Sequence, residues 1–309
     1  MRIFFNRVPR NEPYGGGNQF LVKIIEKLKD RGHEVVFHLK EGIDTIFMMD
    51  PRPGDIGYSI QHIGSYKKSF PSTKIVHRVN ECDKRKGTTG LDELLLKGMD
   101  MSSNVVFISQ WLQDYFSELG YSGNSDVIYN GCNTDHFYPR HDNNLGAKVK
   151  VVTHHWSDNW MKGFDLYTKL DEYLLDYPDT NIEFTYIGRY YKDYTPKATK
   201  IISPTHGLDL GRRLREHDVY VTASRFEPCG MHHVEGSASG LPVLYHSDGG
   251  GINELCVNHG LPFNNFDEFL EGLEQIKGNY DTYRNKINYA SLDIDQCISR
   301  YIKVIENQI

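Results

Sequence analysis

The chain has 309 residues, 35 of them Lys or Arg and 41 Asp or Glu, for a formal net charge of −6. That length suffices for two domains with separate cores, and the ordinary proportions of apolar and charged residues exclude disordered, collagenous and repeat classes. The first 145 residues are electrically balanced and the remainder carries the acidic excess, so neither half has the basic field that nucleic-acid binding needs.

The chain turns polar directly after its first residues, and no apolar run approaches the roughly 18 to 20 residues of a membrane helix. The five cysteines, Cys82, Cys132, Cys229, Cys256 and Cys297, are odd in number and lack CxxC spacing, which argues against a disulfide framework or a zinc site. The expectation is a cytoplasmic protein whose contact with a membrane, if any, is peripheral.

Short apolar runs alternate with helical patterns along the whole chain. A strand at 3–5 leads into a glycine-rich loop, then a helix with Phe20, Leu21, Ile24, Ile25 and Leu28 on one face, stopped at Gly32. Strands follow at 35–39, 45–49, 74–79 and 105–109, with helices at 91–101 and 111–119 and a last strand at 127–129. The stretch 131–148 has no periodicity and reads as the crossing between domains. The alternation then restarts: strands at 149–153, 182–187, 200–203, 219–223 and 242–245, and helices at 164–175, 210–216, 231–238 and 266–276, with helical character from 280 onward. Strands separated by helix-length segments predict parallel sheets with right-handed crossovers. The fold class is therefore α/β, with a domain over 1–145, a second over 146–290 and a terminal helix over 291–309 that packs back on the first domain.

The segment 223–242, Ala-Ser-Arg-Phe-Glu-Pro-Cys-Gly-Met-His-His-Val-Glu-Gly-Ser-Ala-Ser-Gly-Leu-Pro, carries the most chemistry. It leaves a strand and enters a helix through Pro and Gly. Gly230 lets backbone approach a ligand, and the amides of Met231 and His232 open the helix, an arrangement that favours a diphosphate. Glu227 precedes the helix and Glu235 lies inside it, so both can accept hydrogen bonds from hydroxyls of one ligand.

This Glu-x7-Glu pattern, followed by Asp248-Gly-Gly-Gly-Ile-Asn-Glu254, resembles the retaining family-four glycosyltransferases of the GT-B fold. The same order of matches includes the glycines 15–17, Phe107-Ile-Ser-Gln, Val127-Ile-Tyr-Asn-Gly131 with Asp135-x-Phe137-x-Pro139, and Lys162-Gly163. The resemblance spans essentially the whole chain. It implies two Rossmann-like parallel-sheet domains facing across a cleft: an N-terminal, acceptor-side domain and a C-terminal domain for the donor, a nucleotide-diphosphate sugar. It further implies that Glu227 binds donor-sugar hydroxyls, Glu235 the ribose and Lys162 the diphosphate. The amides of Gly230, Met231 and His232 add to that contact, and the loop Gly15, Gly16 and Gly17 closes on the donor. No metal or other cofactor is implied.

The sequence departs from the family at Ser157, where an arginine is usual. One phosphate contact is missing there or supplied by Arg189 or Arg225, or by His155 if protonated. For a carbohydrate or glycolipid acceptor the candidates are Asn80 and Asp83, with Arg78 and Arg85 for an anionic one; turn capping accounts for Asn80 and Asp83 equally well. The pairs His154-His155 and His232-His233 are adjacent residues, which rarely chelate one ion, and Asp293-Ile-Asp295 lies in a helical region, so no metal site is expected. Two other activities remain open: a non-catalytic nucleotide-sugar-binding subunit, favoured by Ser157, and an epimerase of the same fold.

Overall fold

The computed structural model describes residues 1–10, 15–54, 56–142 and 144–307. They form two compact units, Met1–Tyr129 with Asp295–Ile309, and Asn130–Ile294.

Unit 1 runs β1 (Arg2–Phe5), α1 (Gly15–Asp30), β2 (Glu34–Val36), β3 (Thr45–Met48), α2 (Ile60–Ser69), β4 (Lys74–Val79), α3 (Asp83–Lys86), α4 (Leu91–Asp100), β5 (Asn104–Phe107), α5 (Gln110–Glu118) and β6 (Ser125–Val127). Its strands make one parallel sheet in the order β2-β1-β3-β4-β5-β6. Alternate residues face opposite sides, as the pleat requires. Phe4, Ile46 and Met48 pack with Ile63 and Tyr66 of α2, while Phe5 and Phe47 stack on the other face. Parallel sheets need cover on both faces. Here the second face is closed partly by the far end of the chain.

Unit 2 runs β7 (Val149–His155), α6 (Phe164–Asp176), β8 (Ile182–Gly188), β9 (Lys200–Ile202), α7 (Gly207–Arg215), β10 (Val219–Thr222), α8 (Met231–Ala238), β11 (Val243–His246), α9 (Gly251–Cys256), β12 (Gly260–Phe263), α10 (Phe266–Gly278) and α11 (Tyr280–Asn285). The parallel sheet order is β12-β11-β10-β7-β8-β9. Val149, Val151, Phe184, Val219 and Val221 join one core with α6 and α10. Val152, Ile187, Tyr220, Val243 and Tyr245 join the other with α7, α8 and α9. The stretch 131–148 belongs to this unit. Cys132 N–H donates to Leu292 O at 2.8 Å, and Ile294 N–H to Cys132 O at 2.9 Å.

The last helix, α12 (Ile294–Glu306), returns to unit 1. Its Tyr301 is fully buried, with ring centroids 4.7 Å from Phe20 of α1 and 6.0 Å from Phe47 of β3. At the helix end Glu306 accepts from Arg31 at 2.9 and 3.0 Å and lies 3.0 Å from His33.

The parallel sheets are as the alternation predicts. The glycines 15–17, expected in a loop, instead form the first turn of α1, and a Cβ at Gly17 would meet nothing within 4 Å. Four elements lie outside the predicted set, the first being the one-turn α3 at Asp83–Lys86. Helix α2 carries Ile60, Ile63 and Tyr66 at helical spacing, masked by Gly64 in its middle. Helix α9 is six residues long behind a glycine run. Strand β12 contains Pro262, tolerated because β12 pairs only with β11 at the sheet edge.

Because Tyr301 fills the gap between α1 and β3, Tyr301→Ala is expected to cost about 3–5 kcal/mol, read as a lower denaturation midpoint. A change below about 1 kcal/mol would mean that α12 is dispensable to unit 1.

Candidate active site

In unit 2 the direction of strand succession reverses between β7 and β10. Open α/β sheets bind ligands at the carboxyl ends of the two strands that flank such a reversal. The loops that leave these two strands hold most of the residues singled out in the sequence.

After β7 the chain passes through Trp156 and Ser157 into a 3-10 turn, Trp160–Lys162. Asn159 caps that turn, accepting from the Met161 amide at 2.8 Å. Gly163 follows at φ 90°, and a Cβ there would lie 2.2 Å from Ala223 Cβ and 2.4 Å from its carbonyl oxygen. Only glycine permits this backbone shape and approach together. The turn is thereby pressed against the end of β10, and the Arg225 amide donates to Met161 O at 3.0 Å.

After β10 the chain crosses Phe226, the one non-glycine residue with positive φ (53°) among the described residues. Such a conformation costs on the order of 1–3 kcal/mol and persists only where its surroundings over-determine it. Here the glycine run does so. Phe226 N–H donates to Asp248 O at 2.8 Å, Glu227 N–H to Gly249 O at 3.2 Å, and Gly251 N–H to Glu227 O at 2.9 Å.

Glu227 is thus fixed facing the β7 loop, and Lys162 Nζ donates to its Oε2 at 2.5 Å. Both side chains are almost entirely out of water, where a charge pair with one member removed is strongly destabilised. Gly230 caps α8, and a Cβ there would stand 3.0 Å from Glu227 Cδ. The open amides of α8 begin at this point; Met231 is half-buried and His232 buried.

One turn further, Glu235 Oε2 lies 2.8 Å from His154 Nε2, and the Tyr220 hydroxyl is 3.1 Å from His154 Nδ1. The two carboxylates therefore do not pair with each other. His155 Nε2 sits 3.1 Å from the Tyr167 hydroxyl, and His232 Nε2 2.9 Å from Thr222 Oγ1. His233 is fully buried with neither ring nitrogen hydrogen-bonded. Burial drives all three down: His155 and His232 well below the ordinary imidazole value, with Lys162 and neighbouring imidazoles adding to the effect, and His233 to about 3. His155 is therefore neutral at ordinary pH and is no phosphate-binding cation, which corrects that expectation.

The candidate arginines separate clearly. Arg225 grips Asp165, in the first turn of α6, at 2.5 and 3.3 Å, and its Nε reaches His246 at 3.4 Å. Arg189, just past β8, is exposed; its guanidinium lies 4.3 Å over the Trp156 ring and pairs with no carboxylate among the described residues. Ser157 is half-buried and accepts from the Asn159 amide at 3.3 Å. Neither Asp165, which engages Arg225, nor Trp156, which carries Arg189, was identified from the sequence. The acidic first turn of α6 could have flagged Asp165.

In unit 1, Arg78 lies within β4, inside the strand expected at 74–79, and is no acceptor contact. It points from β4 into the core, 2% exposed, with its guanidinium 4.3 Å over Phe20. Asp83 begins α3; its carboxylate accepts from Thr88 Oγ1 at 2.7 Å and the Asp92 amide at 2.9 Å. That is turn capping. Asn80 is half-buried beside it, and Arg85 donates to Glu81 at 3.0 Å. Gly15, Gly16 and Gly17 begin α1, as described. Among the described residues no three His, Cys, Asp or Glu side chains are grouped to hold a metal. Asp295 faces Lys23 and Lys27, 3.5 and 3.9 Å away.

No protein-family model matches the chain, and no curated protein matches it. Solved structures do. Sucrose-phosphate synthase from Thermosynechococcus elongatus superposes with a TM-score of 0.72 at 13% identity, over 99% of this chain and 98% of that one. HepE from Anabaena, in complex with UDP-glucose, gives 0.70 at 16% identity over 99% and 100%. A glycosyltransferase from Rickettsia africae gives 0.68 at 13% over 99% and 98%. The chain has the GT-B fold. These identities establish architecture alone, and the two six-stranded parallel sheets described above are that architecture.

Within this GT-B chain His233 is a titratable probe of the site. In the unfolded chain it takes a proton near pH 6.5, whereas folded it resists down to about 3. Below 6.5 the unfolded state binds the extra proton, so this contribution to stability is intact above about pH 6.5 and declines as pH falls toward 3. His233→Leu is expected to raise stability at pH 7 by about 1 kcal/mol and to flatten the melting temperature between pH 7 and 4. An unchanged acid slope would place the titration elsewhere.

Proposed function

We propose that this protein is a retaining, metal-independent glycosyltransferase that moves a sugar from a nucleotide-diphosphate sugar to a carbohydrate or glycolipid acceptor. The observation that carries this reading is the buried Lys162–Glu227 contact, joined across the strand reversal beside the N-terminus of α8. The strained Phe226 that holds it supports the same reading. HepE, of the same fold, is known with UDP-glucose bound.

In this reading the donor diphosphate rests on the Met231 and His232 amides at the start of α8, where the helix dipole favours an anion. Glu227 accepts donor-sugar hydroxyls and Glu235 those of the ribose. His154 and Tyr220 hold Glu235 in place. Lys162 turns from Glu227 to the departing phosphate and neutralises charge as it develops. Arg189, the arginine not engaged by a carboxylate, supplies the phosphate contact that Ser157 does not, while Arg225 braces the loop through Asp165. These cationic groups carry the role a metal has in other transferases. The bond from the anomeric carbon to the diphosphate oxygen breaks, and the acceptor oxygen bonds to that carbon on the same face. The acceptor proton passes to the leaving phosphate.

Ser157 also favours a subunit that binds a nucleotide sugar without turnover, and one experiment separates the two. In calorimetric titrations of UDP, GDP, ADP and dTDP with EDTA present, one diphosphate is expected to bind, and Glu235→Ala to weaken it at least tenfold. Arg189→Ala is expected to weaken it about tenfold without changing the melting temperature, whereas Arg225→Ala lowers the melting temperature. Glu227→Ala is expected to retain nucleotide binding and abolish donor turnover. Binding that requires a divalent ion would overturn the metal-independent assignment, and wild-type binding without turnover would favour the subunit.

A further inference from the structure

One polar side chain of unit 1 stands in a row of core residues. Asn104 opens β5 in register with Val76, which aligns across the sheet with Phe47 and Phe5. Those three are fully buried, and Asn104 is 2% exposed. The row faces α1 and α12, since Phe20 and Tyr301 pack on Phe47. Asn104 Nδ2 donates to Asp126 Oδ2, on the edge strand β6, at 2.7 Å. A carboxylate only accepts, so this bond fixes which atom of the amide is the nitrogen. The carbonyl oxygen Oδ1 is left buried without a donor, at the cost of its desolvation.

Asn104 lines a cavity of about 370 Å³ between the sheet edge and α12, a volume near the small end for ligand pockets. Asp126 and Ile128 line it from the edge strand and the residue after it. Arg300, Lys303 and Val304 line it from one face of α12, at helical spacing. Arg300 Nη2 donates to Val127 O of β6 at 2.7 Å, and Lys303 is exposed. Among the described residues neither forms an ion pair with Asp126. Glu306 of the same helix is engaged by Arg31 and His33. Opposite charges therefore line one cavity without meeting, beside a buried acceptor that lacks a donor.

A carboxylate or a phosphate dianion alone would suit Arg300 and Lys303, yet it would repel Asp126 and bring no donor to Oδ1. A dipolar molecule answers all of these groups. We propose that the cavity binds a free α-amino acid with an aliphatic side chain. Its carboxylate lies on Arg300 and Lys303, its ammonium on Asp126 and Asn104 Oδ1, and its side chain against Ile128 and Val304. A guanidinium fork matches a carboxylate, and an ammonium brings three donors. None of the lining residues belongs to the loops at the carboxyl ends of β1, β3 and β4. The amino acid is therefore an effector that clamps α12 to β6, and the inference does not rest on the transferase reading.

The test titrates the full chain calorimetrically with L-leucine and L-valine, and with two analogues of leucine. Leucic acid has a hydroxyl in place of the ammonium, and isopentylamine lacks the carboxylate. Leucine is expected to bind at least tenfold more tightly than either analogue and to raise the melting temperature. Lys303→Gln is expected to weaken leucine about tenfold with the melting temperature of the free protein unchanged. Asp126→Asn is expected to erase the advantage of leucine over leucic acid. Asn104→Leu is expected to abolish binding in a free protein that melts no lower than wild type, because the unsatisfied oxygen is gone. The inference is overturned if neither amino acid binds, or if leucic acid matches leucine on the wild-type chain. Displacement of leucine by UDP would put it in the donor site and overturn the inference as well.

Discussion

The contact between Lys162 and Glu227 is the constraint on which the rest of the candidate site depends. It joins a turn after β7 to a loop after β10, two strands adjacent in the sheet, through residues 65 positions apart in the chain. Each side needs its own device to reach the other. On the lysine side, Gly163 lets the turn lie against Ala223. On the glutamate side, Phe226 adopts a left-handed backbone and the run 248–251 supplies the amides and carbonyls that hold it. Strain kept by such a scaffold points to function rather than to stability, since a relaxed loop would fold more easily.

Around this pair the interior of unit 2 is unusually polar. His154 and His155 end β7 and His232 and His233 lie in α8, all at most 8% exposed, and their rings lie close, His155 and His232 with centroids 4.7 Å apart. Burial keeps three of them uncharged. These three uncharged rings and the scarcity of water strengthen each interaction that Lys162, Glu227 and Glu235 make. Of these four, His233 alone lacks a hydrogen-bond partner on both ring nitrogens, a cost that a leucine at that core position would avoid.

The two units share an architecture and differ in chemistry. Each has a parallel sheet whose strand succession reverses once. Unit 2 places an α-helix N-terminus and one lysine beside two carboxylates. Unit 1 sets a buried amide with an unsatisfied oxygen beside two cations and a carboxylate, under α12 at its sheet edge. Arg78, expected to contact an anionic acceptor, instead lies in the core over Phe20.

By itself the sequence determined the alternation of strands and helices, the parallel sheets that follow from it, and the position of α8, whose bounds, Met231–Ala238, match the expected helix. These are local matters: apolar periodicity, a proline and glycine entry, a glycine stop. It also drew attention to Glu227, Glu235 and Lys162, because a Glu-x7-Glu spacing and a Lys-Gly pair survive translation into a string. Where propensity opposed tertiary context the reading failed, at Gly64 inside α2 and Pro262 inside β12, since packing and an unpaired sheet edge override local preference. Only the tertiary structure decided that Lys162 touches Glu227, that Arg225 is engaged by Asp165 while Arg189 is not, and that Asn104 lines a cavity under α12. Such pairings depend on which strands become neighbours in the sheet, a long-range property that no window of sequence contains.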